Sequence, residues 1–537
     1  MKLRKMIRVD KMDSKNLKKS SDQNTVLTRQ SDVDSGVLKI FMAAVTVLSI
    51  LSTVVFDKTK DLSGVRFPVF ALTLVALAAV YLGVTKKLTT QNIILLMFSA
   101  GFAVRLNYVL ITSVTARVRQ HDVFPFGGTK GHSAYIEYFY NHGFTLPKSD
   151  PIARAQFYHP PLHHFLAALW MRLLTTFGMS YERAVASLPF LTLIYSMIAL
   201  VVCERILDRL NLRGFSKIAP LAIMTFHPTA ILLSGSINND NLATLFTLLA
   251  LYAAINWYYS PSTKNIIPVA AAIGLGMSVK LSAALIAPPI AMLFLIYLIT
   301  EKKRLPVIKQ YAVFSCVCFP LGLWYYIRNA VKFDIAINFV PMLPETSEQY
   351  IGNYSAAERL FGFSNHPFEN VFLNRIATGA DFYEYNPFVA IIKTSVFGEY
   401  NFVKYYSGIT PYCRVLLVLN IIMIAISLIA GVYFLFRKTD KVDGVLRGFL
   451  IFYYALMMLF YFKFIFDYPH NCSMDFRYLV MTFIIGSVVI GVSIDQAEID
   501  LSKRRRLLKA VKGVVLTSTV MFCFMSSLVY ILIGLNK

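Results

Sequence analysis

The sequence predicts an all-α polytopic membrane protein. Three observations carry this. Of the 537 residues, 56% are hydrophobic and only 15% are charged, more apolar surface than a soluble core of this size hides. The apolar residues come in long runs, such as 37-VLKIFMAAVTVLSILSTVVF-56 and 415-VLLVLNIIMIAISLIAGVYFLF-436, and about 20 apolar residues span a bilayer core as a helix. The runs do not alternate in period two, which argues against strands.

Residues 1–36 are polar and rich in Lys, Ser and Asp. They read as a cytoplasmic tail, not a cleaved signal peptide, because no small-residue cleavage site follows the first apolar run. The net charge of +23 comes largely from short loops between apolar runs, as the positive-inside rule expects. No basic stripe with stacking aromatics argues for nucleic acid.

The basic clusters set an orientation. Lys86–Lys87, Arg205–Lys217, Lys302–Lys309, Arg437–Arg447 and Lys503–Arg506 all read as inside anchors. A hairpin over 37–91 then precedes a membrane core over 92–330. That core includes an outside loop, 115–160. The short run 161–178 carries His163, His164 and Arg172, so it reads as a helix lying in the outer interface. A second outside loop covers 331–411, and C-terminal helices fill 412–537. The count is about thirteen spans, N-terminus inside and C-terminus outside.

The six cysteines show no metal or disulfide framework. One bridge, Cys413 to Cys472, is weighed because both residues fall near the outer face in this topology.

Polar residues gather on that same outer face, and ionisable groups at membrane depth usually mark a site or pathway. His121 and Asp122 open the first long loop, with His132 and Glu137 a little further on. His159 precedes two prolines, Asn239 and Asp240 sit at an outer helix end, and Lys280, Arg328, Asp475, Arg477 and Tyr478 complete the set. Each has a plainer reading. Asp240 could cap the following helix, Lys280 could snorkel to the interface, and Glu137 could be solvated. His132 and Glu137 are expected on one face of a short helix. His227, beside Pro228, is expected to make an interhelical hydrogen bond. The histidine spacing matches no standard zinc pattern, so no metal or other cofactor is assigned, a divalent cation being the alternative.

Four stretches carry a family resemblance: 121-HDVF-124, 158-YHPPL-162, 226-FHPTAILLSGSINNDNLA-243 and 474-MDFRYL-479. In this order and on one side of the membrane, they resemble the GT-C glycosyltransferases, in the branch of the lipid A aminoarabinose transferases and protein O-mannosyltransferases. The sequence departs from that pattern in its two extra N-terminal spans. It also has His159 where relatives often place a basic residue before the prolines.

The resemblance implies a GT-C-like bundle and a reaction. A sugar moves from a polyprenyl-phosphate carrier to a glycan, lipid or protein acceptor outside the cytoplasm, with inversion. An acceptor hydroxyl needs a base, and Asp122 is the residue expected to serve. The leaving phosphate needs fixed cations, and Lys280 and Arg477, with Arg328 or Arg119, are placed for that. The rival reading, a secondary transporter or lipid flippase, predicts midplane charges between inverted repeats, and no such repeat is evident.

Overall fold

The computed structural model describes residues 33–55, 66–112, 114, 125–143, 145–363, 371–372, 384–398, 407–439 and 441–536. Among these, eleven helices are long and apolar enough to cross a membrane. A bent pair makes a twelfth span if taken as one. The thirteenth expected segment is a helix of 15 residues, Thr263–Met277. At 1.5 Å per residue it is about 22 Å long, short of the ~30 Å hydrocarbon core.

The N-terminal hairpin is α1 (Ser35–Val55) and α2 (Arg66–Val84), followed by α3 (Thr90–Ile111). α2 leaves Val69, Phe70, Leu74, Leu77 and Tyr81 exposed. A helix face like this is stable only in lipid, where exposing apolar side chains carries no hydrophobic penalty.

Two short helices lie between α3 and the next span. α4 (Gly131–Asn141) packs on α5 (Leu162–Thr176), and α5 packs in turn on α6 (Tyr181–Arg209). α5 is not among the spans. It buries His163, His164, Ala167, Ala168 and Met171. Phe165, Leu169, Leu173 and Phe177 stay exposed at four-residue spacing, Phe177 at 87%. An apolar outward stripe on a non-spanning helix suits the interfacial placement expected for 161–178.

α7 (Phe215–Phe226) and α8 (Pro228–Ser234) are bent by 49° at His227. Pro228 has no N–H and drives the preceding residue out of helical conformation, and His227 takes φ −61°, ψ 128°. The break is repaired locally. Thr229 N–H donates to His227 Nδ1 at 3.3 Å. Ser526 Oγ donates to the freed Phe226 carbonyl at 2.6 Å. His227 thus caps α8, and its ring stacks on Phe483 at 4.0 Å between centroids. Stacking, not the expected interhelical hydrogen bond, joins it to its neighbours.

α9 (Asp240–Tyr259), α10 (Thr263–Met277) and, after a 3-10 turn, α11 (Ala287–Thr300) precede the 30-residue α12 (Arg304–Phe333). Among the described residues, α10 and α12 make the most extensive helix contact. It is a small-residue contact. A Cβ on Gly274 would lie 2.7 Å from Leu321 Cβ and 2.9 Å from the Cys318 carbonyl, and one on Gly322 would lie 2.9 Å from Met277 Sδ.

The second long loop holds α13 (Ala356–Phe361) and α14 (Pro387–Phe397). It is pinned to residues 469–471. Ile351 N–H donates to the Pro469 carbonyl at 2.9 Å, and Asn471 N–H to the Gln349 carbonyl at 2.8 Å. The C-terminal spans are α15 (Thr410–Phe436), α16 (Gly444–Asp467), α17 (Val480–Asp500) and α18 (Arg505–Leu532). Cys413 is a free, buried thiol, so the Cys413–Cys472 bridge does not form.

Candidate functional site

The turn between α10 and α11 is the point on which the polar residues converge. Ser278 ends α10, and Lys280 is extended, with φ −159° and ψ 133°. Three separate elements hold this turn. Leu162 N–H, just past the two prolines, donates to the Ser278 carbonyl at 3.1 Å. Asn239 Nδ2 donates to the Val279 carbonyl at 3.0 Å. Trp324 Nε1 of α12 donates to Ser278 Oγ at 3.3 Å.

The backbone so fixed presents Lys280 to Asp240. Lys280 Nζ is hydrogen-bonded to Asp240 Oδ1. Arg477 Nη1 bonds the other oxygen, Oδ2, at 3.2 Å, and Asn238 Nδ2 bonds Oδ2 at 3.0 Å. Asp240 is 5% exposed. One carboxylate therefore holds two cations in a partly dry site, where charge-assisted bonds are strong. Asp240 does not cap α9. The N-cap is Asn239, whose side chain is spent on Val279.

Arg477 is aimed by its own short turn. Asp475 caps it, its Oδ1 accepting from Arg477 N–H at 2.7 Å. Phe476 N–H donates to Thr394 Oγ1 of α14 at 3.0 Å, so the second loop props this turn from behind. α14 is itself clamped. Lys393 Nζ lies 3.3 Å from Glu384 Oε2, both side chains buried, and Asn471 Nδ2 donates to the Glu384 carbonyl at 2.9 Å. Burial holds the Glu384 carboxyl above its usual range, against the pull of Lys393. Arg477 Nη2 also donates to Tyr478 OH at 2.6 Å, and the Tyr478 ring faces Lys280 at 5.2 Å and Arg477 at 4.6 Å. Asp240, Lys280, Arg477 and Tyr478 line one small cavity of about 40 Å³, with Thr244 and Tyr453.

The turn has two sides. Arg477 and Tyr478 line the ionic cavity, while Phe476 and Leu479 line an apolar cleft of about 340 Å³ with Ile391, Met423 and Phe483.

A histidine stack stands beside the cluster. His132 Nδ1 and His164 Nε2 share a hydrogen bond of 2.8 Å, and His159 stacks on His132 at 5.5 Å. His163 Nε2 donates to the Ile237 carbonyl at 2.7 Å. Burial pushes His132, His159 and His164 well below the ordinary histidine range. Neighbouring histidines and, for His132 and His159, the Lys280 charge add to this. Burial lowers His163 to about 4. All four are neutral at pH 7.

The remaining expected residues go elsewhere. Glu137 accepts from Gly127 N–H at 2.7 Å and from Tyr181 OH at 2.5 Å, tying α4 to α6. Its five-residue separation from His132 turns it about 140° around α4, so the two do not share a face. Arg328 donates to the Pro147 carbonyl and to Asn329 Oδ1, each at 2.7 Å, which anchors the first loop to α12. His121 and Asp122, like Arg119, lie outside the described residues. Among the described residues, no group of three or more His, Cys, Asp or Glu is arranged to hold a metal ion.

Sequence reasoning missed Thr394 as the prop of Arg477. No local pattern marks it, since its partner is 82 residues away. It also passed over Arg105, buried in α3. A lone arginine inside an apolar run was the available signal.

The helical bundle, with its polar cluster at helix ends and in one turn, is that of a polytopic all-α membrane protein. A family match supports a glycosyltransferase of the GT-C type: the model for dolichyl-phosphate-mannose-protein mannosyltransferase matches residues 158–324, just under a third of the chain. That segment runs from Tyr158 to Trp324 and includes Asn239, Asp240 and Lys280. No curated protein matches the chain.

Proposed function

We propose that this chain transfers a sugar from a polyprenyl-phosphate carrier to an acceptor on the non-cytoplasmic face of its membrane. The observation that carries the reading is the convergence of Lys280 and Arg477 on Asp240, one residue from an apolar cleft. A carrier lipid needs both: cations for its phosphate and an apolar wall for its chain.

In the reaction, the acceptor oxygen attacks the anomeric carbon, the bond from that carbon to the phosphate oxygen breaks, and the acceptor proton passes to a base. Asp122 is the proposed base. Lys280 and Arg477 stabilise the negative charge gathering on the departing phosphate. Fixed cations in a poorly hydrated site do this with little reorganisation. Asp240 holds both cations in register before substrate arrives. Tyr478, stacked against both, limits their side-chain freedom. His159 and His132, neutral beside the cluster, supply hydrogen bonds without adding charge. The distribution of loop charge supports an extracytoplasmic position for this end of the bundle.

The test is a transfer assay in membranes with a panel of radiolabelled polyprenyl-phosphate sugars, comparing wild type with Lys280→Met, Arg477→Met and Asp122→Asn. Each variant is expected to lose at least 100-fold in transfer with normal membrane expression. Near-wild-type turnover in Asp122→Asn removes that residue as the base. Near-wild-type turnover in both cation variants removes the phosphate role.

A further inference from the structure

Arg105 sits inside α3, a membrane span, with 0% exposure. Its Nε donates to Ser196 Oγ at 3.1 Å and its Nη1 to the Gly101 carbonyl at 3.2 Å, both neutral acceptors. Its Nη2 has no partner, and among the described residues Arg105 forms no ion pair. The fold makes room for this charge. A Cβ at Gly101 would run into Thr225 Cγ2 and sit 3.2 Å from Arg105 Nη1.

The guanidinium lines a cavity of about 40 Å³, with Ser196, Cys203, Asn241 and Thr244 among apolar neighbours. On the same measure one water needs about 10–15 Å³, so the space holds about three water-sized bodies. A sugar phosphate does not fit, but a monatomic anion does. An isolated buried cation costs several kcal/mol unless a counter-charge compensates it. Water can fill a hydrogen bond but leaves the charge unpaired.

We infer that this cavity is a binding site for a small inorganic anion of halide size, held by Arg105 Nη2 and the Ser196 hydroxyl. Ser196 accepts from Arg105 and keeps its own proton to donate. The bound anion ties α3 to α6. The cavity shares Thr244 and Val480 with the one at Asp240, Lys280 and Arg477, so it supports α9 one turn below Asp240. It is a site separate from the proposed donor site and stands without it.

The test is thermal unfolding of the purified full-length protein in detergent, followed by tryptophan fluorescence. Sodium chloride is titrated against sodium gluconate at constant ionic strength. The wild-type midpoint is expected to rise with chloride and saturate, and bromide to substitute for chloride. Arg105→Gln is expected to show no rise. Ser196→Ala keeps the guanidinium and is expected to raise the half-saturating chloride concentration about 10-fold, so it decides the matter if Arg105→Gln fails to fold. An unchanged wild-type midpoint in gluconate, a saturating rise retained by Arg105→Gln, or an unaltered half-saturation in Ser196→Ala would each overturn the assignment. The first outcome is also what a water-filled cavity or a Cys203 thiolate counter-ion produces.

Discussion

Arg477 Nη1 lies 3.2 Å from Asp240 Oδ2 although 237 residues separate them. The contact joins the start of α9 to the turn before α17, and with Lys280 it brings a third element to the same carboxylate. Asp240→Asn leaves two cations facing each other without their shared anion. Removing one partner from a buried ionic group costs about 3–5 kcal/mol. The variant is expected to melt well below wild type and to lose at least 100-fold in transfer. Lys280→Met added to Asp240→Asn relieves the repulsion, so the double variant is expected to regain part of the melting temperature but not the activity. Strictly additive losses in a double-mutant thermal-melt cycle would contradict the coupling.

Thr394 acts on the site through Arg477. Thr394→Val removes the acceptor for Phe476 N–H and leaves a buried donor unpaired, a cost of about 1–3 kcal/mol. The turn relaxes and Arg477 shifts. The expected outcome is a rise of about 10-fold in KM for the lipid donor with a smaller fall in kcat. Thr394→Ser retains the hydroxyl and is expected to restore the wild-type KM. Steady-state kinetics on all three proteins distinguishes this from general destabilisation, which Thr394→Ser would share.

The buried histidines make stability depend on acid. His163 is depressed to about 4 by burial, against about 6.5 in an unfolded chain. Above pH 6.5 both states are neutral and the full stability is present. As pH falls between about 6.5 and 4 the unfolded chain takes up a proton that the folded one refuses, and stability falls. His163 alone contributes about 3 kcal/mol to that loss. Melting temperatures measured from pH 7.5 to 5 are expected to decline, and His163→Gln, which keeps a donor for the Ile237 carbonyl, is expected to flatten the slope. An equal slope in the variant would assign the acid sensitivity to other groups.

The α10–α12 contact depends on glycine. Gly274→Ala forces a methyl against Leu321 and the Cys318 backbone, and overpacking of this kind costs about 1–3 kcal/mol. Because α10 leads directly to Lys280, transfer is expected to fall along with the melting temperature. Gly513→Ala, where a new Cβ meets nothing within 4 Å, is the control and is expected to change neither.

The membrane spans were legible because each is a local property: an apolar run long enough for the bilayer needs no knowledge of its neighbours. The break at His227 was not read from the sequence, which suggested one unbroken span there. Pro228 was the available local signal, while the repair by Ser526 comes from 300 residues away. Asp240, Lys280 and Arg477 could be listed from sequence as polar groups near helix ends, but nothing local said that one carboxylate binds both cations. Glu137 and Arg328 looked equivalent to them in sequence and differ only in where their partners lie. The interfacial reading of 161–178 rested on its histidines and Arg172. Its inner face proved to be the histidine wall of the site.

What the sequence determined by itself is the class of solvent and of fold. Apolar run length and loop charge are one-dimensional quantities, and a bilayer reads them one helix at a time. What only the tertiary structure decided is which polar groups meet. The turn at Lys280 is held by Leu162, Asn239 and Trp324, and the turn at Arg477 by Thr394. These bonds join distant segments. Each forms because a buried donor must find an acceptor, and which acceptor it finds depends on the packing of the whole bundle.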